Sequence, residues 1–328
     1  MKLIKKLLKK IDFIKLLHMK ISYYKIRKNH SKITNMESYL IKQYYEFYRV
    51  YPSLKSPTKY SEILLWQKLY FYDEKATILT DKYLCKEYIN KNIDSTVSFP
   101  KNYFVFDNAK DMDVKQLPDQ CVIKCNHNSG YVFKFERNNN KLTIVNLRDK
   151  THQKYSFKTM KKILNLLLKI NYYYWRQEWN YRDIKPKIIV EEYLNTSNLQ
   201  EYKFYMNDGN LTYFHVVSNR QTDERNDFFD NNFNSIPVWS DVSPSDVVPE
   251  LPSNIKNMIS FASKLSKGTP ALRVDLYNFE NQIYFGEATY FHMGGLPYYV
   301  SPANFDEMIG EKFKLPNQDM HNGGLTNA

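Results

Sequence analysis

The residues best suited to chemistry lie in two strand-like segments, residues 271–277 (ALRVDLY) and 283–289 (IYFGEAT), separated by a turn near residues 278–281. Side chains alternate along a strand, so a loop of three or five residues would place the polar side chains of both strands on one face. These side chains are Arg273, Asp275, Glu287 and Thr289. Adjacent carboxylates repel each other, and a divalent cation commonly offsets the repulsion. The pattern predicts an Mg²⁺ site completed by substrate phosphates; the alternative is a surface hairpin with a solvated Glu287.

A second candidate begins where an apolar strand ends in Lys124 and continues into the polar loop of residues 125–130, CNHNSG. One ammonium and several backbone N–H groups at such a strand end can surround a phosphate. Because no Ser or Cys partner is identifiable, His127 is expected to contact phosphate or solvent rather than to act in catalysis. An ordinary strand end followed by a polar turn is the alternative.

Two further segments could contribute to the same chemistry. Residues 187–194, KIIVEEYL, form an apolar strand that ends in two acids. They could lead into a linker whose backbone reads an adenine edge, or could simply be an exposed strand end. In residues 201–205, EYKFY, side-chain alternation places Lys203 on the same side of the strand as Glu201 and Tyr205. Lys203 can then point into the same cleft as the other candidate residues.

Charge and composition exclude several classes of protein. The 328 residues carry 47 Lys+Arg and 35 Asp+Glu, but residues 1–34 alone hold eleven basic residues and one acid, so the remainder has a net charge of only +2. A near-neutral body argues against a nucleic-acid binder. Gly-rich phosphate-binding strings are absent, and three cysteines without a C-x-x-C pair favour a reducing, cytoplasmic compartment.

The basic segment has its own pattern. Between Leu3 and Leu17, apolar residues recur at three- and four-residue steps with lysines between them, which predicts a basic amphipathic helix. Such a helix, over residues 1–28, could contact an anionic membrane peripherally at the cytoplasmic face. The alternative is an ordinary helix packed on the body with solvated lysines. No apolar run is long enough to predict a membrane span, and no signal-peptide pattern is present.

The remaining sequence predicts an α+β protein. Residues 36–95 have a helical pattern interrupted at Pro52 and Pro57, and a largely β pattern with interspersed helices follows from Phe99. The predicted strands are 103–106, 120–124, 131–136, 142–145, 187–193, 202–205, 211–217, 271–277 and 283–290, with helices at 157–174 and 255–265. Residues 218–252 show no readable pattern, and residues 317–328 are expected to form a flexible tail.

Taken in order, these pieces resemble the ATP-grasp superfamily, and most closely the TupA-like ATP-grasp proteins of bacterial surface-polysaccharide gene clusters. The resemblance spans roughly residues 57–315. Its signposts are residues 66–68 (WQK), 80–83 (TDKY), 117–118 (LP), 123–130 (IKCNHNSG), 191–194 (EEYL), 202–205 (YKFY), 273–277 (RVDLY), 285–289 (FGEAT), 294–295 (GG) and 309–310 (IG). It implies an ATP-grasp fold, in which two α+β subdomains grip ATP. The chain then divides into a basic helix (1–34), a helical region (35–98), the ATP-grasp domain (99–316) and the tail (317–328).

The resemblance also implies roles for individual residues. ATP-binding residues would be Lys82, Val122, Lys124, Asn126, His127, Asn128, Ser129, Gly130, Glu191, Glu192, Tyr193, Leu194 and Phe285. Within this set the two lysines would hold phosphates, residues 126–130 would form a flap, and the backbone of residues 192–194 would read adenine. Asp275 and Glu287 would bind Mg²⁺, with Thr289 where many relatives have Asn. Arg273 and Lys203 would stabilise the transferring phosphoryl group, and Arg220 and Gly294 would lie near the substrate.

The function implied is that of an ATP- and Mg²⁺-dependent carboxylate–amine ligase that works through an acyl phosphate. Its substrates would be a sugar acid or lipid-linked glycan and an amino acid or similar amine. A glycosyltransferase of polysaccharide assembly is the alternative, with residues 111–113 (DMD) as its metal-binding D-x-D string. A third hypothesis is a non-catalytic membrane-associated scaffold, against which the paired carboxylates Asp275 and Glu287 speak.

Overall fold

The computed structural model describes residues 2–139, 141–149, 151, 153–194, 199–220 and 222–316, with side chains described from residue 16 onwards. The predicted tail, residues 317–328, lies outside this part of the chain. The chain divides into two compact units. The first unit comprises Met1–Thr34, Pro100–Gln177 and Tyr181–Asn195, and the second comprises Asn35–Phe99, Glu178–Asn180 and Thr196–Ala328. The predicted basic helix therefore groups with the first unit, and the predicted helical region 35–98 with the second.

The described helices and strands follow the predicted order closely. The helices are α1 (Lys2–His30), α2 (Met36–Tyr48), α3 (Tyr60–Tyr70), α4 (Glu74–Thr80), α5 (Leu84–Asn92), α6 (Phe157–Leu167), α7 (Tyr173–Arg176), α8 (Ile255–Ser266) and α9 (Phe305–Gly310). The strands are β1 (Asn102–Phe106), β2 (Gln120–Cys125), β3 (Val132–Asn138), β4 (Lys141–Asn146), β5 (Ile188–Glu191), β6 (Glu201–Asn207), β7 (Asn210–Ser218), β8 (Arg225–Asp230), β9 (Ser235–Ile236), β10 (Leu272–Phe279) and β11 (Gln282–Thr289).

One prediction of secondary structure is wrong, and one stretch had no prediction. The single helix expected over residues 157–174 ends at Leu167, and a separate short helix, α7, follows it. The stretch 218–252, which showed no pattern, contains β8 and β9. The sequence of β8, RNDFFD, is rich in Asn and Asp, which are disfavoured in strands, so pairing with β7 overrides its local propensity.

The first unit is built on an antiparallel sheet with the strand order β1-β5-β2-β3-β4. Buried side chains of the sheet and of α6 form its core, among them Ile123, Phe133, Ile188 and Leu164. Helix α1 joins this core through Leu16, Met19 and Tyr23, and the Tyr23 hydroxyl accepts a hydrogen bond of 2.9 Å from the backbone N–H of Asn171. This part of α1 is therefore a packed helix. Among the described residues, no helix combines the length and the hydropathy that a bilayer-spanning segment needs.

The second unit is built on an antiparallel sheet with the strand order β11-β10-β6-β7-β8-β9. One face of this sheet packs against α8 and is apolar, with Val274, Leu276, Phe204 and Phe261 buried together. Alternation along the strands sends the polar residues of the same segments to the opposite face. That opposite face carries the residues singled out for chemistry, and we call it the polar face.

Helix α3 fixes the ends of the two strands that carry the predicted metal ligands. Its side chain Gln67 is fully buried and donates hydrogen bonds to the carbonyl oxygens of Ala271 (2.9 Å) and Tyr290 (3.0 Å). It also accepts a bond of 2.7 Å from the Ala271 N–H. Ala271 directly precedes β10 and Tyr290 directly follows β11, so one amide group ties the open end of this hairpin together.

Replacing Gln67 with Ala should therefore lower the free energy of unfolding by roughly 3 kcal/mol, because buried backbone groups lose their partners. Urea unfolding followed by tryptophan fluorescence measures the change. Gln43→Ala is a matched control: Gln43 is a half-buried helical residue that bonds the Tyr39 hydroxyl at 2.8 Å, and its loss should cost less than about 1 kcal/mol. Equal effects of the two substitutions would show that the Gln67 amide does not hold the ends of β10 and β11 together.

Candidate functional site

The β10–β11 hairpin places its polar residues on one face, but its turn length differs from the prediction. The connecting turn has two residues, Glu280 and Asn281, both with positive φ (50° and 62°), as type I′ turns require. The predicted odd-numbered loop is therefore wrong, and a two-residue turn alone would set Asp275 opposite Gly286. A β-bulge after Asp275 shifts the register by one residue, so that Asp275 pairs with Glu287 instead.

The corrected register creates a row of polar residues across the sheet. Asp275 pairs with Glu287 on β11 and with Lys203 on β6, and Lys203 pairs in turn with His215 on β7. Residues directly opposite each other in an antiparallel sheet point to the same face. The sequence predicted three of these four residues and missed His215.

Arg273 connects the predicted metal ligands. Its Nε donates to Asp275 Oδ1 at 2.7 Å and its Nη2 to Asp275 Oδ2 at 2.8 Å. The same Nη2 lies 3.0 Å from Glu287 Oε1 and 3.1 Å from Thr289 Oγ1. Burial acts to lower the pKa of Arg273, but Asp275, Tyr205 and Glu287 together hold this pKa well above its ordinary value. Arg273 therefore remains a fixed cation at the centre of the predicted site.

Lys203 extends the network to a third carboxylate. Its ammonium contacts Asp275 and lies 2.8 Å from Glu201 Oε1. Glu201 also accepts hydrogen bonds from Arg220 and, at 3.1 Å, from the Tyr277 hydroxyl. Arg220, expected near the substrate, is thus tied into the cluster. Three carboxylates (Asp275, Glu287, Glu201) meet three cations (Arg273, Lys203, Arg220), and we call these six residues the ion cluster.

The two predicted metal ligands differ in exposure. Asp275 is completely buried, whereas the Glu287 side chain is 37% exposed. Burial raises the pKa of Asp275 above its ordinary value, while Arg273 and Lys203 act to lower it. Because both of its oxygens accept bonds from these cations, Asp275 is held as an acceptor in the structure.

The donors on this face are of the kind that Mg²⁺ prefers. Two opposed carboxylates and the Thr289 hydroxyl are oxygen ligands, and Mg²⁺ sites of this type are usually completed by substrate phosphates and water. Among the described residues, no group of three His, Cys, Asp or Glu side chains is placed to hold a metal by itself. Asp275, Glu287 and Thr289 are therefore oxygen donors of the type that Mg²⁺ takes.

Two histidines beside the ion cluster were missed from the sequence. His215 is only 5% exposed, and the Nδ1 atoms of His215 and His292 have no hydrogen-bond partner within the described structure. Tyr205 lies between them: its ring centroid is 5.6 Å from that of His215, and its hydroxyl is 3.5 Å from His292 Nε2.

Both histidines are neutral at ordinary pH. Burial, and then the nearby cations Lys203 and Arg273, hold the pKa of His215 well below its usual value. Burial and Arg273 do the same for His292. A sequence signal for His215 exists: the Asp208-Gly209 turn between β6 and β7 implies a hairpin that brings β7 alongside Lys203.

In the first unit, Lys124 lies at the predicted strand end and forms an ion pair. Its ammonium is 2.5 Å from Glu191 Oε2 on the neighbouring strand β5, and the Glu191 side chain is 3% exposed. Val122, two residues before Lys124, pairs with Glu191 in the register of the sheet. The structure thus brings together three predicted ATP contacts, and their nucleotide-binding roles stay predictions.

The loop after Lys124 is held by its own side chains. Asn126 is fully buried, donates to the Lys185 carbonyl at 3.0 Å and accepts from the Lys187 N–H at 2.7 Å. His127 is 2% exposed, and its Nε2 lies 3.1 Å from the carbonyl oxygens of Leu167 and Ile170. These contacts correct the expectation that the His127 side chain faces phosphate or solvent. His127 therefore contacts carbonyl groups at and just after the end of α6.

The other residues predicted to contact ATP in the first unit differ in burial and in their contacts. Asn128 is buried, whereas Ser129 and Gly130 are exposed. The backbone N–H of Glu192 already donates to the Lys101 carbonyl at 2.9 Å, so Glu192 extends the pairing with the β1 side of the sheet. Tyr193 stacks under the Lys134 ammonium at 4.5 Å, and Leu194 is half-buried.

Three further predicted residues belong to the second unit. Phe285 lies in the apolar core, with ring centroids 5.8 Å from Phe99 and 6.1 Å from Phe261. It therefore faces away from the ion cluster, and its predicted role as a wall against adenine is not supported by this position. Lys82 lies in the turn between α4 and α5. Gly294 offers its carbonyl oxygen to the Lys68 ammonium at 2.6 Å.

The D-x-D string of the glycosyltransferase alternative has a structural explanation. Asp111 ends a short 3₁₀ turn, Met112 is buried, and the Asp113 carboxylate accepts a hydrogen bond of 3.0 Å from the Lys115 N–H. Both aspartates are exposed at this turn. This arrangement is typical of a solvated, self-capped turn.

One family model matches most of the chain. The family described as TupA-like ATPgrasp matches residues 62–314. Among solved structures, D-alanine–D-alanine ligase from Bacillus anthracis is similar at 17% identity, with 70% of this chain and 58% of that chain covered and a TM-score of 0.34. The D-alanine–D-alanine ligase from Helicobacter pylori is similar at 12% identity, with 73% and 62% covered and a TM-score of 0.41.

A third similar structure is L-amino acid ligase from Bacillus licheniformis, at 11% identity, with 70% of this chain and 44% of that chain covered and a TM-score of 0.36. The chain thus spans less than two thirds of the length of each of these proteins. A search of curated proteins found no match.

The bulge that aligns Glu287 with Asp275 depends on Gly286. A Cβ atom at Gly286 would lie 2.9 Å from both the Asp275 carbonyl oxygen and the Tyr277 ring. Gly286→Ala should therefore lower the free energy of unfolding by about 1–3 kcal/mol, as overpacking does. Urea unfolding measures the loss, with Gln282→Ala, an exposed position on the same strand, as the control that should stay near wild type. Wild-type stability of Gly286→Ala would show that the bulge tolerates a side chain.

Proposed function

The chain belongs to the TupA-like ATPgrasp family, and on that premise we propose that it is an ATP- and Mg²⁺-dependent ligase that joins a carboxylate to an amine. Membership confirms the predicted family and the α+β ATP-grasp fold. The observation that carries the proposed activity is the geometry of the ion cluster. Arg273 and Lys203 lie buried against Asp275, and Glu287 lies opposite Asp275 on the next strand.

This geometry suits phosphoryl transfer to a carboxylate. The substrate carboxylate oxygen attacks the γ-phosphorus of ATP, the bond from that phosphorus to the bridging oxygen breaks, and ADP leaves with the bond electrons. Negative charge spreads over the transferring group, and prepositioned cations stabilise it without reorganising. Arg273 and Lys203 are proposed to be these cations. The product is an acyl phosphate.

The second step needs positioning more than new chemistry. The amine nitrogen attacks the acyl carbon, the carbon–oxygen bond to phosphate breaks, and the nitrogen loses a proton as the amide forms. Phosphate leaves with the bond electrons. The contribution of the chain is to hold the two reactants together and to stabilise charge, which is how ligases of this kind gain most of their rate.

The charge balance of the ion cluster suggests how a nucleotide is accommodated. The cluster is electrically balanced by itself, so a triphosphate can engage Arg273 and Lys203 only by replacing part of their contacts with Asp275. We propose that Asp275 and Glu287, with Thr289 beside them, then hold Mg²⁺ together with the phosphate oxygens. Bound there, the metal would neutralise phosphate charge and act as a Lewis acid.

The substrate end of the site is proposed to lie toward His215 and His292. Their neutral imidazoles, next to Arg273 and Lys203, offer hydrogen bonds to a polar group without adding charge. A carboxylate drawn to the cations could use these bonds for orientation. We propose a sugar acid, free or as a nucleotide- or lipid-linked precursor, as the carboxylate substrate and an amino acid as the amine.

The catalytic proposal is tested by changing Lys203 to Met and Asp275 to Asn. Each removes a charged group of the ion cluster, and each should lower ATP-dependent turnover by about 10²- to 10³-fold. ADP release in the presence of a panel of uronic acids and amino acids provides the measurement. Lys264→Met is a matched control, because Lys264 is 54% exposed and forms an ion pair with Asp94, which is outside the ion cluster.

Thermal unfolding of the same variants separates catalysis from stability, since Asp275 is buried. Folded Lys203→Met and Asp275→Asn proteins that release ADP at the wild-type rate would sink the proposed roles. Absence of ADP release and of ATP binding in the wild-type protein would sink the ligase itself.

Lys124→Met tests the predicted phosphate contact in the first unit. Removing its ammonium should weaken ATP binding by about tenfold or more, because a charge-assisted contact to phosphate is lost. Isothermal titration with a non-hydrolysable ATP analogue measures the affinity. Lys187→Met is the control, since Lys187 forms an ion pair of 2.6 Å with the exposed Asp107 in the same unit. Equal affinities for wild type and Lys124→Met would exclude Lys124 from the nucleotide site.

A further inference from the structure

Helix α1 presents an apolar stripe that no other part of the described structure covers. Leu17 and Ile21 are each 45% exposed and Tyr24 is 68% exposed. Their spacing of four and three residues places them on one side of the helix. In sequence, the same steps of three, four and seven residues continue through Ile14, Leu7 and Leu3. We call Leu17, Ile21 and Tyr24 the outer stripe.

The outer stripe is not the face with which α1 packs. Leu16, Met19 and Tyr23 contact the core of the first unit, and the His30 ring lies 5.2 Å from Tyr173 and 4.9 Å from Tyr174. At about 100° per residue, the packed residues lie about 130° around the helix from the outer stripe. A helix that only packs needs one apolar side, so the second side has a separate use.

The charges around the outer stripe indicate what covers it. Between Lys15 and Ile33 the sequence holds no Asp or Glu, and Lys20, Lys25 and Lys28 are all exposed. Apolar residues flanked by lysines, with a tyrosine among them, match the interface of a bilayer that carries anionic lipids. We propose that α1 lies flat on an anionic membrane surface, with the outer stripe inserted between headgroups while its other side stays packed on the first unit.

A second copy of the chain fits this surface less well. Two such faces brought together would oppose their lysines, and like charges at an interface cost affinity. Three side chains also bury far less area than a stable protein interface needs. A membrane surface, by contrast, gains from every lysine close to it. The inference does not depend on the proposed ligase activity.

The experiment uses the full-length protein and sedimentation with vesicles of phosphatidylcholine, with or without about one third phosphatidylserine. We expect binding only to the anionic vesicles, weakened by salt. Leu17→Gln together with Ile21→Gln should reduce binding by at least about tenfold, because two inserted apolar side chains are lost. Val247→Gln together with Val248→Gln, which changes exposed residues of the second unit, is the matched control.

Lys20→Gln, Lys25→Gln and Lys28→Gln should each reduce binding to anionic vesicles by about fivefold. Circular dichroism checks that the variants stay folded, and ATP turnover should be unchanged in all of them. Equal binding of wild type and the Leu17/Ile21 double variant would overturn the inference. The inference would also be overturned if light scattering showed that the wild-type protein is a dimer and that the double variant is a monomer. Loss of ATP turnover in the catalytic variants above does not affect either outcome.

Discussion

The buried contact between Asp275 and Arg273 is the interaction on which the second unit depends. Removing a carboxylate and a guanidinium from water is expensive, and the cost is recovered only where geometry is good and every remaining polar atom finds a partner. Arg273 meets this requirement through two bonds to Asp275 and further contacts to Glu287 and Thr289. Lys203 donates a further hydrogen bond to the Oδ2 atom of the same carboxylate. The strands, the bulge and helix α3 are arranged so that this geometry is kept.

Such a cluster also limits how the site can respond. Its charges cancel, so it is stable without a ligand, and a bound anion must compete with carboxylates that are already in place. Exchange of these contacts would release the carboxylates together with the arginine and the lysine. In unit one the situation is simpler, because Lys124 and Glu191 form a single pair at a strand end. Exchange of one pair is a smaller rearrangement than exchange within a connected network.

Side-chain alternation along clear strands predicted four of the residues that the structure brings together in the ion cluster. Arg273, Asp275, Glu287 and Lys203 were found this way, although the loop length used to align them was wrong. His127 was misjudged because burial against the end of α6 depends on tertiary packing that no local pattern reveals. Placing His215 in the site requires knowing that β6 pairs with β7. Strand β8 was missed because its pairing with β7 outweighs its poor strand propensity. The sequence pattern of α1 left packing and membrane contact as alternatives, whereas the structure shows an apolar side that is covered and another that is not.

The two-residue turn and the bulge at Gly286 have a consequence for how the hairpin can vary. Side-chain direction in a strand has a period of two, so a single insertion or deletion anywhere between residues 280 and 286 would exchange inside for outside along the rest of β11. Glu287 would then enter the apolar core and Ala288 would face the ion cluster. Length changes in this hairpin are therefore tolerated only in compensating pairs. Related sequences should align across this segment without gaps, unlike an ordinary variable loop.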